Sequence, residues 1–185
     1  MGGLVSTARE LIFGTYNTRR NLPRSTGCRR GEANFLGSFL RSFMTDSPDR
    51  CFFGRHFAVP ECGVADCIIL RFGEAEEEPE KGLIMAFETK LSDWRKALSQ
   101  AYRYRYYADV SIVVLPADIA GPAMDKRHLF QQSGVGLWTF NPKSGAICPK
   151  IATEKPKPLN PCKREQALIR IRQGGFQLRK VREEA

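Results

Sequence analysis

The sequence predicts an α/β domain built on a mixed sheet flanked by helices, and three observations predict it. Apolar runs of strand length recur at Cys67-Ile68-Ile69-Leu70, Leu83-Ile84-Met85-Ala86-Phe87 and Val110-Ser111-Ile112-Val113-Val114-Leu115, each bounded by turn or polar residues. Helical periodicity alternates with them: Phe35, Leu36, Phe39, Leu40 and Phe43 form one apolar stripe, and Trp94, Leu98 and Ala101 form another. Hydrophobic content of 42% and charged content of 26% over 185 residues are ordinary for one globular domain, which can bury about 70% of its unfolded surface.

Taken in order, residues 1–31 hold a short apolar piece, Leu4-Val5 to Leu11-Ile12-Phe13, and then Arg and turn residues without periodicity, which reads as a loop or arm. The stretch also has the spacing of an N-myristoylation site, Met1-Gly2 with Ser6. A helix is expected from Gly31 to the turn cluster Asp46-Ser47-Pro48-Asp49, with Glu32 at its start, where a carboxylate suits the helix dipole. Cys51-Phe52-Phe53 and His56-Phe57-Ala58-Val59 give a first strand or hairpin arm. His56 is expected as a satisfied strand residue, and Glu61 as a loop-exposed one. The run from Gly63 through Asp66 to Leu70 is the second strand. Glu74 to Glu80, with five Glu in seven residues, is a solvated hairpin tip that would repel a polyanion. Leu83 to Lys90 is the third strand.

Ser92 or Asp93 is placed to cap the next helix, and Val110 to Leu115 is the fourth strand. Met124 to Gln132 reads as a short helix bearing a surface His128, and Gly134 to Phe140 as a last strand closed by the Asn141-Pro142-Lys143-Ser144-Gly145 turn. Helix, three strands, helix, strand, helix, strand makes a four- to five-stranded sheet. Lys155-Pro156-Lys157-Pro158 is a stiff linker, followed by an amphipathic piece from Arg164 to Arg172 and a basic end. That last helix is expected to grip nucleic acid or a second copy in a homodimer.

The net charge is +9, and its distribution says more than its total. Residues 1–31 hold six Arg against one Glu, and residues 150–185 hold ten Lys or Arg against four Glu, so the centre is slightly negative. Basic ends around an acid-bearing core suit a polyanionic partner, although basic tails also serve only to solubilise. No apolar stretch approaches the ~20 residues needed to span a bilayer, so no membrane partner is expected. Six cysteines are scattered without a C-x-x-C pair, which points to reduced thiols and a cytoplasmic location rather than to disulfides or a zinc site.

The chemistry gathers at the strand ends. Glu88 and Lys90 are two apart, so on a strand they share a face, and a charge on that face is costly unless paired or bound to an ion. With Asp66 on a neighbouring strand, two carboxylates and an ammonium would converge. Carboxylates held together repel, unless a cation sits between them. Hard oxygen ligands without His favour Mg²⁺ or Mn²⁺ over zinc. A Lys beside such an ion suits stabilisation of a phosphate or orientation of an attacking water.

In this combination the chain resembles the PD-(D/E)xK nuclease superfamily. Asp66 matches the aspartate of its second motif, with Ala65 in place of the proline before it, and Glu88-Thr89-Lys90 matches (D/E)xK. Gly63 and Asp66 fit the G-x-x-D of RecB-type members, and Gln100 and Tyr104 fit their Q-x-x-x-Y. The likeness spans roughly residues 32 to 140, by element order. It implies a restriction-endonuclease-like core, with Asp66, Glu88 and the Thr89 carbonyl holding Mg²⁺ (or Mn²⁺) and Lys90 assisting the water. It also implies that Glu32, on the first helix, approaches the metal, an alternative to its role at the dipole. Gln100 and Tyr104 would line the cleft, or Tyr104 would simply cap the core. Some RecB-type nucleases also carry a cysteine-bound cluster, but their close-spaced C-terminal cysteines are missing here.

The chain is thus expected to comprise a basic N-terminal arm (1–31), a nuclease-like domain (32–149) and a Pro/Lys linker with a basic C-terminal helix (150–185). The expected activity is Mg²⁺-dependent hydrolysis of phosphodiester bonds in nucleic acid, DNA first. Arg103 and Arg105, interleaved with Tyr102, Tyr106 and Tyr107, and Arg19 and Arg20 of the arm are the expected nucleic-acid contacts. The alternative is a nucleic-acid-binding protein that keeps the scaffold without catalysis.

Overall fold

The computed structural model describes residues 9–11, 28–46, 51–72, 81–153 and 156–174. Seven strands form one mixed sheet: β1 (Arg9–Leu11), β2 (Cys51–Val59), β3 (Gly63–Arg71), β4 (Leu83–Thr89), β5 (Val110–Pro116), β6 (Gly136–Phe140) and β7 (Ile147–Ile151). They lie side by side in chain order. β2, β3 and β4 are antiparallel neighbours, while β4, β5 and β6 run parallel and β7 returns antiparallel. The parallel pairs need crossovers, and helices supply them: α2 (Trp94–Tyr104) between β4 and β5, then α3 (Gly121–Met124) and α4 (Arg127–Ser133) between β5 and β6.

Two apolar clusters show how the sheet is sandwiched. On one side, α1 (Cys28–Asp46) packs Phe35, Leu36, Phe39 and Leu40 against Cys67, Ile69, Met85, Phe87, Ile112, Val114 and Phe140. Rings lock this layer: Phe39 meets Phe87 at 5.4 Å between centroids, and Phe35 meets Phe140 edge-on at 5.4 Å. On the other side, Trp94, Ala97, Ala101 and Tyr104 of α2 pack on Ile68, Leu70, Ile84, Ala86, Val113 and Leu115. Strand alternation divides the residues between the two faces.

α1 begins at Cys28 rather than at Gly31, so Glu32 lies beyond the first helical turn and the dipole alone no longer accounts for it. Gly31 has a packing reason. A Cβ there would meet Leu91 Cδ1 at 3.0 Å, so the helix crosses close over the chain just after Lys90. α2 begins where expected, with the Asp93 carboxylate accepting from Lys96 N at 3.0 Å.

The sheet is wider than the four to five strands expected. β1 is a three-residue edge strand paired parallel to β2, inside what reads as an arm. β7 crosses the expected boundary at 149/150. It has a ladder on one side only, and Cys148, Pro149 and Lys150 are exposed, so it lacks the apolar signature of a buried strand; Pro and Lys suit such an edge.

The last helix, α5 (Pro161–Gln173), is capped by Asn160, whose side chain accepts from Cys162 N and Lys163 N. It buries Ala167, Leu168 and Ile171 in the α2-side core, so its apolar face is used within this chain. Arg164 ties it down. Its guanidinium donates to both Asp109 oxygens at 3.1 and 3.3 Å and to the Gly82 carbonyl at 3.1 Å. Asp109 Oδ2 also accepts from Ile84 N at 2.8 Å. Replacing Asp109 by Ala strands both a backbone N–H and a guanidinium, which is expected to cost about 1–3 kcal/mol. The urea midpoint should fall with the slope unchanged.

Candidate active site

The site forms where β3 and β4 part. Their ladder runs to the pair Cys67 and Phe87, and one step further Asp66 stands across from Glu88. There the Asp66 carboxylate takes over from the backbone ladder: Oδ2 accepts from Thr89 N at 2.8 Å and from Thr89 Oγ1 at 2.7 Å. Thr89 is 1% exposed, so its hydroxyl would be an unsatisfied buried group without Asp66. Beyond this point β4 continues only along β5, with Lys90 N donating to Val114 O at 3.2 Å. Gly63, at the head of β3, has φ 89, in the region that favours glycine.

Glu88 is 1% exposed, which is exceptional for a carboxylate. Tyr104 OH lies 2.7 Å from its Oε2 and equally 2.7 Å from the Val64 carbonyl. A phenol has one proton to donate, so the hydroxyl satisfies both acceptors only if Glu88 is itself protonated and donates to it. Lys90 Nζ lies 2.9 Å from Glu88 Oε1. Among the described residues, this ammonium is the one donor facing the buried Oε1. Lys90 Nζ also donates to the Thr89 carbonyl at 3.2 Å, and Glu32 Oε1 of α1 stands 3.8 Å away. The Gln100 Oε1, one helical turn before Tyr104, is buried without a partner.

The electrostatics follow from this crowding. Burial first, and then the charge of Asp66, raise Glu88 to about 7, against the smaller opposing pull of Lys90 and the Tyr104 hydrogen bond. Burial pulls Lys90 down, but the charges of Glu88, Asp66 and Glu32 outweigh it and leave the ammonium raised. Burial and the neighbouring Glu88 push the Tyr104 phenol well up, so it stays protonated.

The structure therefore brings together Asp66, Glu88, Thr89, Lys90, Tyr104 and, at the margin, Glu32, while Gln100 lies one turn before Tyr104 on α2. Arg103 is exposed, and its guanidinium lies against Gly63, its central carbon 3.7 Å from where a Cβ would sit. Arg105 has another task. Its guanidinium donates to the Ser133 carbonyl at the end of α4 at 2.6 Å, which fastens α2 to α4. Arg19, Arg20 and the acidic segment Glu74 to Glu80 lie outside the described residues. Glu61 is exposed and paired with Lys163 at 2.7 Å, and His56 and His128 are exposed. Sequence reasoning missed the Val64 carbonyl and the Thr89 hydroxyl. Backbone acceptors carry no residue signature, and a Thr in a strand is usually read as β-propensity.

Among the described residues, no three His, Cys, Asp or Glu side chains gather as a metal cage. The donors nevertheless suit a hard cation: the Glu88 carboxyl, an Asp66 carboxylate whose two Thr89 bonds both fall on Oδ2, and the Thr89 carbonyl. No protein-family model matches this chain, and no curated protein is recovered as a relative.

A folded-state value above the ordinary 4.5 means that the native chain holds a proton which the unfolded chain releases. Metal-free stability should therefore fall as pH rises through the window from 4.5 to about 7. Between its ends the loss is on the order of 3 kcal/mol. Thermal melts in EDTA should show this decline in the wild type and not in Glu88→Gln.

Proposed function

We propose that this chain is a metal-dependent nuclease of the PD-(D/E)xK superfamily, hydrolysing phosphodiester bonds in nucleic acid, DNA first. The observation that carries the reading is the buried Glu88 carboxyl, raised to about 7 and set between the Asp66 carboxylate and the Lys90 ammonium. A core has no use for two repelling carboxylates, and replacing such groups by apolar residues usually costs nothing or stabilises. The order α1-β2-β3-β4-α2-β5, with α1 and α2 on opposite faces, supports a restriction-endonuclease-like core.

In this reading Asp66, Glu88 and the Thr89 carbonyl hold Mg²⁺ (or Mn²⁺). When bound, the ion supplies Lewis acidity and a water of lowered pKa. Tyr104 fixes the Glu88 carboxylate from below, and Thr89 fixes that of Asp66, so both ligands are oriented before the ion arrives. Lys90 is held by Glu88 and the Thr89 carbonyl, and its compact charge stabilises the extra negative charge on the phosphate and orients the attacking water. Its planar fork makes Arg a poor replacement. Glu32 keeps the ammonium turned toward the site, and Gln100 offers its amide to substrate or water.

The described cysteines, Cys51, Cys62, Cys67, Cys148 and Cys162, are all free, which supports a reducing location such as the cytoplasm. No helix among the described residues is long and apolar enough to cross a membrane.

Incubation with single-stranded, duplex and branched DNA, in Mg²⁺ or EDTA, tests the activity. Cleavage should require the metal. Asp66→Ala and Lys90→Ala should each lower it by at least about a thousandfold, several kcal/mol of barrier, while circular dichroism shows a folded chain. Cleavage surviving both changes would remove the assignment.

A further inference from the structure

We propose that Tyr102, Arg103 and Tyr106 form a stacking platform for a nucleic-acid strand with unpaired bases, laid so that its backbone passes toward the carboxylate site; the inference rests on the nuclease reading for its direction. Four aromatic residues follow one another at this end of α2, and the fold sorts them into two pairs. Tyr104 and Tyr107 are fully buried. Tyr102 and Tyr106 are 41% and 40% exposed. Their ring centroids are 6.5 Å apart at an interplanar angle of 84°, an edge-to-face contact that steadies both rings and occupies one face of only one of them.

Arg103 stands between this pair and the site. Its guanidinium reaches across to Gly63, at the head of β3, where Val64 presents its carbonyl to Tyr104 and Asp66 follows within the same strand. The guanidinium thus bridges the tyrosine-bearing helix and the strand that carries the first carboxylate.

Charge and chemistry select the occupant. Residues 94–107 contain Arg95, Lys96, Arg103 and Arg105 and no acidic side chain. The segment before α5 runs beside them, with Leu159 N donating to Arg105 O at 2.7 Å and Asn160 N to Tyr106 O at 3.1 Å, and it adds an exposed Lys157. Arg105 is bound to Ser133, and Lys163 and Arg164 are engaged by Glu61 and Asp109. Arg103, Lys157, Arg95 and Lys96 remain exposed at the surface. A cationic surface with open aromatic faces recognises phosphates by charge and bases by stacking. A duplex keeps its base faces inside the stack, so only a strand with unpaired bases uses both features.

The test is binding by fluorescence anisotropy in EDTA, using the full chain with a labelled oligothymidylate and with a blunt duplex of the same length. The double variant Tyr102→Ala/Tyr106→Ala should bind the single strand at least about tenfold more weakly and the duplex unchanged. The double Phe variant should retain binding, and equal melting temperatures should show that the fold is intact. Arg103→Ala should weaken both ligands and lower the salt slope by about one. Unchanged single-strand binding in the double Ala variant overturns the platform, as does an equal loss on both ligands, which would mark the tyrosines as a protein-docking or structural feature. If tyrosine-dependent binding persists in a chain that cleaves nothing with Mg²⁺, the platform stands and the nuclease reading falls. If cleavage is present and single-strand binding ignores the tyrosines, the reverse holds.

Discussion

A carboxylate sunk into the apolar side of a sheet governs the local architecture. Glu88 is drawn from water on every side, and an uncompensated charge there would cost several kcal/mol. Three structural elements supply the compensation. α2 delivers the Tyr104 hydroxyl, the end of β4 delivers Lys90, and α1 brings Glu32 to hold that ammonium in turn. The close pass of α1 at Gly31 over Leu91, the Asp93 cap and the parting of β3 from β4 all serve to bring these groups to one place.

The compensation is incomplete: the Glu88 carboxyl stays raised to about 7 beside Lys90. Asp109, Arg164, Arg105 and Asn160 each have matched partners. At the site, by contrast, Asp66 adds to the cost of ionising the buried Glu88, which Lys90 offsets only in part. Sequences that fold well satisfy each level of structure at once, and the exceptions collect where function needs them. A bound cation would offset this cost, and that is the ground on which a metal site is proposed.

Much of this was legible in the sequence because it depends on spacing within one element. Glu88 and Lys90 share a strand face, Gln100 and Tyr104 share a helix face, and Asp93 precedes a helix. What escaped depends on contacts between distant segments. The pinning of Asp66 by Thr89 follows from two strands separating after a particular pair, which no local pattern encodes. Arg105 reads like Arg103 in sequence, yet one closes a helix end and the other lies in the open. β7 was hidden by an exposed middle without alternation; α5 was expected as a helix, and what its sequence did not show is that the Ala167, Leu168 and Ile171 stripe packs into this chain's own core.

Asp66 and Glu88 together are proposed as the site of a hard divalent cation. Calorimetric titration of Mn²⁺ or Mg²⁺ into the metal-free chain, above the pH at which Glu88 loses its proton, tests it most directly. Saturable binding is expected, lost in Asp66→Asn and in Glu88→Gln and kept in Tyr102→Ala. Absence of binding to the wild type, or binding that survives both carboxylate changes, would contradict it.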